Sequence, residues 1–129
     1  MPGSESKIKQ LKHESNTWKR ILEFITHENV ALKNRLGEIL SGKEVSPEFL
    51  EKAEKYHNSF TREDEMVRLI RHDICNLDKL IIKEEYLDGK MVDAEIISEH
   101  KKLSKAVENT INDFSKLKFE FNDYMRNVL

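Results

Sequence analysis

Apolar residues recur along most of this chain in alternating steps of three and four, the spacing that lines one face of an α-helix. The first stripe runs Ile8, Leu11, Ser15, Trp18, Leu22, Ile25, Asn29, Leu32, Leu36 and Ile39. The second runs Phe49, Ala53, Tyr56, Phe60, Glu63, Val67, Ile70, Ile74, Leu77 and Ile81. The third runs Ile96, His100, Leu103, Val107, Thr110, Phe114, Leu117, Phe121, Tyr124 and Val128. No segment keeps the period of two that a half-buried strand requires, so strands are not expected.

The stripes are separated by helix-breaking residues. Ser41-Gly42 is followed by Ser46-Pro47. A glycine can end a helix in left-handed geometry, a serine can cap the next one, and a proline fits its first position. Asp88-Gly89 is a turn-forming pair. These stops predict helices over 6–41, 47–87 and 90–129, each about 50–60 Å long. Short connections favour antiparallel neighbours. The expected fold is therefore all-α: an up-down-up antiparallel bundle of three long helices with coiled-coil-like heptad packing. Thr61-Arg62-Glu63-Asp64 fits a capping box, and a break near residue 61 would make four helices. The stripe stays in phase through Glu63, which favours three.

Size and composition fit this picture. The 129 residues suit one domain, expected over 6–129 after a disordered tail at 1–5. Charged residues reach 36%, with only four Gly and two Pro, as long solvated helices require. The net charge of −2 argues against a dedicated nucleic-acid binder. The lysines of the third helix (Lys101, Lys102, Lys105, Lys116, Lys118) are interleaved with Glu99, Glu108, Asp113 and Glu120, which cancel most of their field. The single cysteine, Cys75, excludes an internal disulfide. No long apolar run is present to span a membrane, and the first residues lack the pattern of a signal peptide. A cytoplasmic protein is expected.

Five polar residues interrupt the stripes: Ser15, Asn29, Glu63, His100 and Thr110. A buried Asn at such a position can fix helix register at some cost in stability. A ligand or metal site would need the five at one height. Counting from the turns instead puts Asn29 beside Phe60 and Leu117, and His100 beside Leu77 and Leu11, with only Ser15 close to it. Glu54-Lys55-Tyr56-His57 matches the Glu-x-x-His element of carboxylate di-iron bundles, but no second such element accompanies it. Neither a metal nor another cofactor is expected. Gly-rich phosphate loops, paired-Cys motifs and nucleophile elbows do not occur in the sequence, so an enzyme is not expected.

One short stretch carries a chemical signal. Arg71-His72-Asp73-Ile74-Cys75-Asn76 resembles the phosphotransfer helix of certain bacterial sensor kinases. That resemblance implies His72 as phosphoacceptor, Asp73 as its base and Asn76 one turn on. Off the Val67/Ile70/Ile74 stripe, His72 should face solvent, where a partner's phosphoaspartate could reach it. A second likeness rests on Trp18-Lys19-Arg20, Glu28–Leu36 and Lys116–Asn122. These segments resemble a group of small helical proteins of Bacteroidetes bacteria, which implies a bacterial cytoplasmic origin.

Apolar residues also fall off the stripes. Ile21, Met66, Leu80, Ile97, Ile111 and Met125 flank them and should widen the core. Phe24, Val30, Leu69, Ile82 and Phe119 lie further round. Val30 and Phe119 fall at similar heights, with Phe24 about two turns from Val30, and the three form the expected interaction surface. The function expected from the whole is a non-enzymatic interaction or scaffolding module, a homo-oligomer or the binder of another protein. The alternative is a histidine phosphotransfer protein using His72.

Overall fold

The computed structural model describes residues 2–42, 44–86 and 94–128. They form three helices, α1 (Pro2–Gly42), α2 (Pro47–Tyr86) and α3 (Ala94–Val128), and each packs against the other two. The described residues contain no strand.

The helix limits follow local chemistry. α1 begins at Pro2, inside the stretch 1–5 expected as a tail; proline costs no hydrogen bond at a first helical position. Gly42 remains helical as the last residue of α1 and does not take left-handed geometry. Ser46 caps α2, its Oγ accepting from the Phe49 backbone N–H at 3.1 Å, with Pro47 opening the helix behind it. α2 is unbroken through residue 61: Thr61 Oγ1 donates to the His57 carbonyl one turn back instead of capping a new helix. The described part of α3 begins at Ala94, and the expected start at 90 lies outside the described residues. The Asp88-Gly89 turn lies outside the described residues.

The stripes become the core. Leu22, Phe60, Ile74 and Phe121 are fully buried, and the apolar cluster runs from Ile8 and Ile81 at one end to Leu36, Ala53 and Met125 at the other. Burying each large side chain contributes about 1.5–3 kcal/mol, whereas an exposed ion pair is worth about 0–1 kcal/mol. The core therefore dominates stability. Of the flanking residues, Met125 is buried and Ile21, Leu80 and Ile111 pack partly against the core. Met66 and Ile97 are exposed instead, as is Val128 at the end of the third stripe.

Cross-helix pairs fix the relative heights. Between α1 and α2 they are Lys12 with Glu85, Ser15 with Asp78, and Asn29 with Phe60. Between α1 and α3 they are Glu14 with His100, Glu28 with Lys118, and Arg35 with Asn122. An aromatic cluster joins α2 to α3: Phe60 and Phe121 meet edge-to-face at 5.1 Å, and Tyr56 contacts both Phe121 and Tyr124.

Candidate functional site

The polar residues of the stripes fall on two levels of the bundle. At the first, Ser15 is buried and its Oγ donates to Asp78 Oδ1 at 2.6 Å, while Lys19 pairs with the other oxygen of Asp78. On the far side of α1, the His100 ring lies 4.8 Å from the Trp18 ring, centroid to centroid. Its Nε2 is buried 2.5 Å from Glu14 Oε2, close but not aligned as a hydrogen bond. His100 thus lies beside Trp18 and Glu14, further along α1 than the expected Leu11.

At the second level Asn29 is completely buried, next to Phe60 as its position in the stripe requires. Its Nδ2 donates to the Phe60 carbonyl at 2.8 Å and to Asp64 Oδ1 at 2.5 Å, and Lys33 closes on the other oxygen of Asp64. The Asn29 side-chain carbonyl has no hydrogen-bond partner. Glu63, also in the stripe, is half-buried, and its Oε1 is buried without a partner. Loss of solvent, reinforced by the negative charges of Asp113 on α3 and Asp64, pushes its carboxyl up to about 7. Tyr56, in the aromatic cluster, is likewise raised, first by desolvation and then by nearby Glu120.

The two levels do not converge. Ser15 and His100 share a height but bond to different partners, and Thr110 is buried away from both. Among the described residues no group of three His, Cys, Asp or Glu is placed to hold a metal ion. Glu54 and His57 are exposed on α2. Of the partners, Asp64 enters the sequence reading only within the Thr61–Asp64 pattern and Asp113 only among the acids between the third-helix lysines, while Glu14, Lys33 and Asp78 have no site role there. Their one legible signal is position: Asp64 and Asp78 each directly follow a stripe residue of α2, on the flank facing α1.

The residues expected to act at the surface are all exposed. His72 presents 73% of its side chain to solvent, with Nδ1 3.7 Å from Asp73 Oδ1, and Asn76 is exposed one turn on. Cys75 is an exposed free thiol. Phe24, Val30 and Phe119 are 61%, 47% and 66% exposed. The three do not share one face. Val30 borders a shallow groove toward α2 with Thr26, Arg68 and Arg71. Phe24 is six residues earlier, roughly 120° round the helix by the 3.6-residue repeat, on the flank nearer α3. Among the described residues, no helix is long and apolar enough to cross a membrane.

No family model, curated protein or solved structure matches the chain.

Proposed function

We propose that the protein is a non-enzymatic, cytoplasmic helical module that works by contact with other protein surfaces, its own copies included. In this reading the helices run up-down-up with heptad-like packing. The cross-helix pairs support it: residue numbers rise along α1 as their partners fall along α2, and rise together along α1 and α3. The observation that carries the function is the exposure of Phe24 and Phe119 on a bundle whose core closes without them. An aromatic side chain left in water gains about 1.5–3 kcal/mol when a partner covers it. Val30, on the opposite flank of α1 from Phe24, offers a second and smaller contact.

The test is absolute mass in solution, by size-exclusion chromatography with light scattering across a concentration series. Wild type should form a dimer or higher oligomer. Phe24→Ser with Phe119→Ser should weaken it by about a hundredfold or more, leaving helix content by circular dichroism unchanged. A wild type that is monomeric throughout, or a double variant with unchanged assembly, overturns self-association.

A second reading is favoured by one specific observation, the solvent-facing His72 with a carboxylate beside it. Here a phosphoryl group would pass from a partner's phosphoaspartate to the imidazole, with Asp73 orienting the ring and taking up its proton. It predicts an acid-labile phosphoryl group on the protein that His72→Gln abolishes. Labelling that survives this substitution, or none in the presence of phospho-donors, rejects it.

A further inference from the structure

We propose that Glu63 is a proton-controlled latch on the α2–α3 seam, closed when its carboxyl is protonated and loosened when it ionises. The geometry is unusual for an acidic residue. Glu63 occupies a core-stripe position one turn from Phe60 and one turn from Val67, both buried. One carboxyl oxygen is buried without a hydrogen-bond partner, and a buried ionised oxygen left unpaired is costly.

The charged groups around it offer no compensation. On α2, Asp64 adds a second negative charge, Arg62 is turned to Ser59, and Glu65 is exposed. On α1, Lys33 is engaged by Asp64, Glu28 by Lys118, and His27 is exposed. On α3, Asp113 repels the ionised form, Lys118 is held by Glu28, and Lys116 is exposed. Both cations that reach this level from the flanks are thus already committed to other carboxylates. A protonated Glu63 removes the repulsion with Asp113 and leaves the seam closed.

The direction of the pH effect follows. The folded-state carboxyl titrates at about 7, above its ordinary 4.5, so between these values the folded chain holds more protons than the unfolded one. The stability due to the neutral form is fully present below about 4.5 and is lost as the pH rises through about 7. Because the side chain is only half-buried, solvent screening reduces the effect. The unfolding equilibrium constant should rise about three- to tenfold between pH 6 and pH 8 from this group.

The experiment is urea unfolding of wild type, Glu63→Gln and Asp113→Asn at pH 6, 7 and 8, with the Glu63 side-chain carboxyl followed by NMR in wild type and Asp113→Asn. Five histidines titrate in the same window, so the wild-type-minus-variant difference isolates Glu63. Glu63→Gln should remove the three- to tenfold pH dependence and be the more stable protein at pH 8. Asp113→Asn should move the carboxyl titration to lower pH. A Glu63→Gln profile parallel to wild type overturns the proposal. So does a Glu63 carboxyl that titrates near 4.5, a readout that survives even if the glutamine variant fails to fold.

Discussion

Replacing Asn29 separates what a buried polar group costs from what it gives. The side chain is completely inaccessible, donates to the Phe60 carbonyl and to the Asp64 carboxylate, and leaves its own carbonyl oxygen unpaired. Removing the amide loses about 1 kcal/mol for the neutral bond and about 1.5–3 kcal/mol for the charge-assisted one. Against this, the unpaired oxygen no longer costs its ~1–3 kcal/mol. Leucine, which matches the branching of asparagine but is bulkier, adds burial worth about 1.5–3 kcal/mol, less the cost of overpacking a closed site. Asp64 keeps Lys33 as a partner, so no charge is stranded. The two sides nearly balance for Asn29→Leu, which should unfold within about 1 kcal/mol of wild type or above it. Asn29→Ala loses the same bonds, fills nothing and adds a cavity, so it should fall below wild type by about 1–3 kcal/mol. Urea titrations of the three proteins by circular dichroism at 222 nm, at one protein concentration, measure both differences. If the leucine variant is as unstable as the alanine variant, the hydrogen bonds outweigh burial and the reasoning fails. Light scattering supplies a second readout, because an apolar residue in place of a register-setting Asn should broaden the distribution of assembly states.

Phe60→Ala removes a fully buried ring together with its edge-to-face contact to Phe121, and should cost about 3–5 kcal/mol in urea unfolding; a loss below about 1 kcal/mol would mean the aromatic cluster does not hold α2 to α3. Ser46→Ala deletes the cap on the Phe49 N–H, and should cost about 1 kcal/mol and speed hydrogen exchange at the Phe49 amide. Unchanged exchange there would show that the cap does not hold the first turn of α2.

The helices and most of the core were legible because both are written in spacing. A three-four stripe selects a helix and its buried face together, and Ser46-Pro47 marks the start of α2 to the residue. Heights came out well across the α1–α2 connection. Asn29 meets Phe60 as the count across the α1–α2 connection requires, while His100 lies beside Trp18 and Glu14, not beside the Leu11 that the count implied. Azimuth was harder. Phe24 and Val30 belong to one expected surface, yet besides lying nearly two turns apart their spacing puts them on different flanks of α1, Val30 toward the groove against α2. The stripe also flagged Glu63 without revealing its environment. The like charge that acts on it from α3, Asp113, lies fifty residues away in sequence, and only the packed helices bring it close.

The order of the cross-helix pairs also bears on how the chain folds. Asn29 and Phe60 are separated by 31 residues, Ser15 and Asp78 by 63, and Lys12 and Glu85 by 73. Each pair nests inside the next around the Gly42–Pro47 connection, so every contact that forms shortens the loop the following one must close. Loop closure becomes costlier only slowly with length, and a chain that closes in nested steps never meets the full length at once. The α1–α3 pairs have no such ladder: Arg35 and Asn122 are 87 residues apart, and Glu28 and Lys118 are 90. They join residues that lie on either side of the whole of α2. These separations predict that the α1–α2 pairs form first and that α3 docks last, the order in which synthesis from the N-terminus delivers the helices.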